Sequence, residues 1–163
     1  MLKTGSVIMD MKTSRSVQLL WLSVGVSLIH HVDHILRLDH SGWPFLPRTT
    51  PFTYSLLVYP VFLSLFLARS NSWYRVIGTA GLFLFATAAH IFFEPMRDKF
   101  HTWTYGSNLP GHIGEKNLLG INSPVLGVCS IGLAVLLSVS LLVTLFAFVR
   151  DARRGTHKSQ PKP

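Results

Sequence analysis

Residues 125–149 read VLGVCSIGLAVLLSVSLLVTLFAFV, and this stretch decides the fold class. It contains no acidic or basic side chain, and its 25 residues are enough to cross about 30 Å of hydrocarbon as an α-helix. Three further apolar stretches occupy residues 17–36, 52–68 and 76–93. Because the bilayer core offers no water to backbone groups, spans of this length must be helical. The sequence therefore predicts an all-α polytopic membrane protein, a bundle of four transmembrane helices.

The composition supports a membrane location. Of the 163 residues, 48% are hydrophobic and only 13% are charged, against about 25% charged in a soluble domain. The net charge of +8 comes from Lys and Arg residues that lie between and outside the apolar stretches, so it indicates membrane orientation and no nucleic-acid partner. We expect one transmembrane domain over residues 1–149, a polar tail over residues 150–163, and the lipid bilayer as a partner.

The distribution of basic residues predicts the orientation. The two termini and the middle loop together carry ten Lys and Arg residues, whereas the other two loops carry five. The positive-inside rule therefore places both termini in the cytoplasm. Seven of the eight histidines then fall toward the non-cytoplasmic side. They are His30, His31, His34, His40, His90, His101 and His112.

Two helices carry titratable side chains at this outer end. His30 and His34 are spaced i, i+4 on the first helix, and Asp33 and Arg37 repeat that spacing, so each pair shares a helix face. On the third helix, His90 and Glu94 are also spaced i, i+4 at the same end. Counting 1.5 Å per residue, His30 lies about 9 Å and His90 about 5 Å inside its span. Charged groups at such depths usually face the bundle interior, so we expect a shared centre.

The first hypothesis for this centre is a metal site for zinc or non-haem iron, because three imidazoles and a carboxylate suit either ion. Asp33, held by Arg37, is expected to accept a hydrogen bond from a ligating imidazole, and His31 is an alternative ligand. The enzyme would act on a lipophilic, lipid-like or isoprenoid-like substrate. The predicted ligands are His30, His34, His90 and Glu94. The predicted catalytic residues are Asp33, Arg37, Glu94 and His112.

Four alternatives use the same residues. Without a metal, His90 and Glu94 would form an acid–base pair with Asp33 as counter-charge. A haem would take His30 and His90 as axial ligands. A purely structural network would link the two helices by hydrogen bonds. A metal or proton carrier needs a polar path onward to the cytoplasm, and the inner halves of the spans lack ionisable residues.

Two further features predict local structure. Pro60 interrupts the second span and predicts a kink there. The long connection over residues 95–123 contains histidines, aromatic residues and glycines, and we expect it to form an ordered cap over the outer end of the bundle.

The stretch His90-Ile-Phe-Phe-Glu94, followed by Trp103-Thr-Tyr105, resembles the sterol isomerase and sigma-2 receptor superfamily. Members of that superfamily are small four-span proteins that place an intramembrane histidine and carboxylates around an amphiphilic ligand. The resemblance covers a few dozen residues. It implies that His90 and Glu94 are proton-transfer groups.

Overall fold

The computed structural model describes residues 14–37, 51–68, 70–108 and 113–158, and the regular structure within these ranges is helical. Six helices follow one another along the chain. They are α1 (Arg15–Arg37), α2 (Pro51–Ser55), α3 (Val58–Leu67), α4 (Ser72–Phe92), α5 (Met96–Tyr105) and α6 (Pro124–Lys158).

Three helices are long and apolar enough to cross a membrane: Arg15–Arg37, Ser72–Phe92 and Pro124–Arg154. Large apolar side chains lie exposed on all three, among them Ile29, Leu84 and Phe146. In water such surfaces would be costly, whereas a lipid environment accepts them. The all-helical fold is therefore confirmed, with three helices that are long and apolar enough to span a membrane.

The four-helix count is not confirmed, because the predicted span at residues 52–68 contains two shorter helices. The chain makes a turn at residues 56–57, and α3 begins at Val58. Pro60 explains the position of the break. Its ring has no N–H to donate and clashes with the carbonyl group four residues earlier, which belongs to Leu56. The apolar helical segment Thr53–Leu67 is shorter than the three candidate spans.

Helix α6 lies at the centre of the packing, with α1, α4 and α5 against it. The buried core is formed by apolar side chains of α1, α3, α4 and α6, and Leu20, Leu65 and Leu141 are almost fully buried. A hydrogen bond between small hydroxyl groups joins α1 to α6, since the hydroxyl oxygens of Ser23 and Thr144 lie 3.1 Å apart. The core occupies one half of the bundle and leaves the ends of α1 and α4 free to form a polar centre.

Within the described part of the connection after α4, helix α5 packs against α6, where the sequence predicts a cap. Pro95 precedes α5, and Gly106 ends it with φ +96°, a conformation that favours glycine. The cap lies close to α6, since a Cβ atom on Gly127 would approach Phe100 to 3.0 Å. This placement brings the buried face of α5 over the ends of α1 and α4.

Candidate functional site

The C-terminal ends of α1 and α4 meet at a buried cluster of histidine and glutamate side chains. The Nε2 atoms of His30 and His34 lie 3.0 Å apart, and His34 Nε2 lies 3.2 Å from Oε2 of Glu94. His30 is 2% exposed and Glu94 is 6% exposed. One candidate ligand atom from each residue falls within 4.8 Å of the other two. We call His30, His34 and Glu94 the His/Glu group.

His90 lies beside the His/Glu group. The centroids of the His90 and His30 rings lie 4.7 Å apart, and the two rings are nearly perpendicular. Its Nδ1 atom is 3.9 Å from Glu94 Oε2, which is beyond hydrogen-bond distance. Both ring nitrogens are buried and have no hydrogen-bond partner among the residues that the structure describes. His31 points elsewhere, with Nδ1 2.8 Å from the Ser27 carbonyl oxygen and Nε2 3.0 Å from the Ser55 hydroxyl.

The spacing of the His/Glu group fits a metal ion. Zinc bonds of about 2.0–2.2 Å in tetrahedral geometry place neighbouring ligand atoms about 3.3 Å apart. Two of the three spacings here are 3.0 and 3.2 Å, and the spacing between His30 and Glu94 is within 4.8 Å. Hydrogen bonds alone account for these two contacts less well than a metal ion does. The Nε2 atom of a neutral His34 carries at most one hydrogen, yet it faces both His30 and Glu94.

Asp33 accepts hydrogen bonds from Arg37, Trp103 and Ser130, whereas the sequence predicts a bond from an imidazole. Its Oδ2 atom accepts hydrogen bonds from Arg37 Nε at 3.0 Å and from the Ser130 hydroxyl at 2.6 Å. Its Oδ1 atom accepts from the indole N–H of Trp103 at 2.9 Å. Among the described residues, these three donors are the partners of Asp33, so the expected bond from an imidazole is absent. Asp33 therefore joins α1 to α5 and α6.

Glu94 is paired with two cations. The guanidinium of Arg37 contacts Oε1, and the ammonium of Lys99 contacts Oε2. Burial alone would raise the pKa of Glu94, but the charges and hydrogen bonds of Arg37 and Lys99 outweigh it and lower the pKa to about 2. Burial and the charge of Arg37 lower the pKa of Lys99 to about 8, although Glu94 opposes the shift.

The buried charges at the ends of α1 and α4 are balanced among the described residues. Asp33 and Glu94 supply two negative charges, and Arg37 and Lys99 supply two positive charges. Arg37 links both pairs, because its guanidinium contacts Asp33 and Glu94. Arg37 is 2% exposed and Lys99 is fully buried, so each charge depends on its protein partner.

Lys99, Trp103 and Ser130 are contacts that the sequence analysis missed. Lys99 and Trp103 are spaced i, i+4 and share one face of α5, and this spacing is the signal that points to them. Ser130 gives no signal, because it is one of several small hydroxyl residues in an apolar helix. His112, predicted as catalytic, lies outside the described residues.

A cleft of about 920 Å³ extends from the His/Glu group along the bundle. Its walls are mostly apolar, and side chains at its rim, such as Val61, Phe85 and Phe93, are exposed. A Cβ atom added to Gly81 would enter open space in this cleft. The polar lining residues gather near one end. They are Ser27, His30, His31, His34, Tyr54, Ser55, His90 and Glu94.

The chain matches no model of a known protein family, no curated protein and no solved structure. The resemblance to the sterol isomerase and sigma-2 receptor superfamily therefore stays a prediction from the residues that carry it.

Proposed function

We propose that the protein is a membrane enzyme that binds a lipophilic molecule in the cleft and acts on the polar end of that molecule. The observation that carries this proposal is the position of the His/Glu group at the end of a mostly apolar cleft of about 920 Å³. Ligand sites typically have volumes of 300–1,000 Å³, with apolar walls and a few polar groups. The apolar part of the substrate would lie along the cleft, and its polar group would face the imidazoles.

The proposed cofactor is zinc or non-haem iron held by His30, His34 and Glu94. When bound there, the ion supplies a Lewis acid next to the polar end of the cleft. The residues of the chain do the remaining work. Arg37 and Lys99 fix the carboxylate of Glu94, and the apolar walls exclude water and orient the substrate. His90 stands outside the ligand group and faces it.

Elemental analysis of the purified protein in lipid nanodiscs tests the cofactor. We expect near-stoichiometric zinc or iron in the wild type and in His101→Ala, since His101 lies outside the His/Glu group and its Nδ1 is 3.1 Å from the Gly106 carbonyl oxygen. We expect loss of the metal in His30→Ala and in His34→Ala. Equal metal content in all four proteins would refute this ligand set.

A second candidate function is metal-free acid–base catalysis on the same substrate class. The contacts of Glu94 favour it, because the guanidinium of Arg37 and the ammonium of Lys99 already compensate the charge of this carboxylate. Proton transfer would then pass through His90 and Glu94. Wild-type protein that is free of metal and still binds a lipophilic molecule would select this candidate.

Blocking the cleft tests the binding site itself. Gly81→Leu places a side chain in open cleft space, whereas Gly132→Leu adds the same side chain to an exposed helix position outside the cleft. We expect mass spectrometry of the extracted protein to find a bound lipophilic molecule in the wild type and in Gly132→Leu, and not in Gly81→Leu. Equal retention in all three would refute binding in the cleft.

We also propose a topology. Helices α2 and α3 together would form a fourth crossing with a break near its middle, so both termini would be cytoplasmic and the site would lie toward the non-cytoplasmic side. Reporter fusions at the C-terminus and within residues 95–123 test this arrangement. A non-cytoplasmic C-terminus would refute it.

A further inference from the structure

We infer that His90 and His30 recognise the bound molecule together and that this molecule is a lipophilic alcohol. The inference rests on the proposed function, because it concerns the occupant of the same cleft. Its basis is three buried ring nitrogens without hydrogen-bond partners among the described residues: Nδ1 of His30, and Nδ1 and Nε2 of His90. Both rings line the cleft.

The contacts of His30 determine which of its nitrogens carries the proton. Its Nε2 atom faces His34, either as an acceptor of the His34 proton or as a metal ligand. In both cases Nε2 has no hydrogen, so Nδ1 carries the proton and is a donor. The reverse hydrogen bond, from His30 to His34, would leave the bare Nε2 atom of His34 3.2 Å from the carboxylate of Glu94. The donor has no acceptor among the described residues. A ligand oxygen near His30 would therefore accept a hydrogen bond.

His90 adds the opposite requirement. A neutral imidazole has one N–H and one bare nitrogen, and neither has a partner here. Because Glu94 Oε2 lies 3.9 Å from Nδ1, it favours the proton on that nitrogen and leaves Nε2 as an acceptor. A ligand group near this nitrogen would donate a hydrogen bond. The centroids of the two rings are 4.7 Å apart and both residues line the cleft, and the inference places one ligand oxygen atom against both rings.

A hydroxyl group meets both requirements, because it accepts one hydrogen bond and donates another. An ether or a ketone only accepts and leaves the bare nitrogen of His90 buried without a partner. A carboxylate also only accepts and leaves the same nitrogen without a partner. The apolar walls of the cleft require the rest of the molecule to be hydrocarbon. Together these features define a long-chain, isoprenoid or polycyclic alcohol.

Competition binding in detergent micelles tests this inference. Tritiated hexadecanol, phytol and cholesterol serve as probes, and each competes with its own unlabelled alcohol and with its methyl ether. In the wild type we expect the matching alcohol to bind about tenfold to a hundredfold more tightly than the ether, the effect of leaving one buried polar group unpaired. His90→Phe should remove this preference, and His90→Gln, which keeps a donor and an acceptor, should retain most of it.

The outcomes separate this inference from the proposed function. Binding that Gly81→Leu abolishes, but that does not distinguish alcohol from ether, would overturn the inference and leave the cleft as the binding site. An unchanged preference in His90→Phe, with the variant folded by size-exclusion chromatography, would also overturn it. Failure of every probe to bind the wild type would overturn the alcohol inference, and retention of an extracted molecule in Gly81→Leu would overturn the proposed function itself.

Discussion

The buried charges at the C-terminal ends of α1 and α4 predict a strong coupling between Asp33 and Arg37. Asp33→Asn removes the carboxylate that Arg37 contacts through Nε and leaves the contacts of Arg37 and Lys99 with Glu94 in place. Arg37→Met leaves two carboxylates with one cation, Lys99. Removing one partner of a buried ion pair costs about 3–5 kcal/mol, because the other charge stays buried without compensation. We expect each single variant to lose about that much unfolding free energy.

The double variant should lose much less than the sum of the two single losses. It removes one charge of each sign and leaves the Glu94–Lys99 pair intact. We therefore expect a coupling energy of at least about 2 kcal/mol, well above the roughly 0.5 kcal/mol within which independent sites add. Unfolding by sodium dodecyl sulfate in mixed micelles, followed by circular dichroism, measures all three losses. Glu115→Gln, which removes an exposed carboxylate charge, serves as control and should change stability by no more than about 0.5 kcal/mol.

Additive losses would refute the charge balance described here. So would a stable Asp33→Asn variant, because the structure gives this buried carboxylate three donors, two of which come from other helices.

Three other predictions use the same micelles. Trp103→Phe removes an indole N–H that Asp33 accepts and should lower the unfolding free energy by about 1–3 kcal/mol; no loss would mean that this bond does not hold the cap. Gly78→Ala should be about 1 kcal/mol or more less stable than Gly81→Ala, because a Cβ at Gly78 would lie 2.6 Å from a leucine side chain of α3, whereas at Gly81 it meets open space. Equal stabilities would contradict this packing. A strong chelator should lower the melting temperature of the wild type and leave that of His34→Ala unchanged, and an equal response of both would argue against a metal at the His/Glu group.

Much of the site could be predicted from local spacing. Residues four positions apart on a helix share a face, so the spacing of His30 and His34 is enough to place their rings together. The same argument applies to the Asp33–Arg37 ion pair, which the structure has at 3.0 Å. The common end of α1 and α4 follows from the topology, because the first and third spans run in the same direction and carry their titratable residues at similar depths. These inferences need no knowledge of how the helices are rotated.

The contacts that sequence reasoning missed depend on that rotation. Ser130 reaches Asp33 only because α6 turns its hydroxyl toward α1, and nothing in an apolar run marks one serine over another. Lys99 lies in a polar connection, and nothing in such a sequence predicts that this residue is buried. It is buried because α5 packs over the ends of α1 and α4. The break before α3 shows the same limit, because Pro60 predicts a kink but not how much helix remains on each side.

The charge pairs also bear on how the chain enters the bilayer during synthesis. Asp33 and Arg37 emerge from the ribosome one helical turn apart, and Glu94 and Lys99 emerge five residues apart, so each acid arrives with a base from its own segment. Each of these two segments can therefore neutralise its own charge before it contacts the other. We expect the contact between Arg37 and Glu94 to form only when α1 and the segment after α4 come together, so that completion of the binding site is coupled to assembly of the bundle.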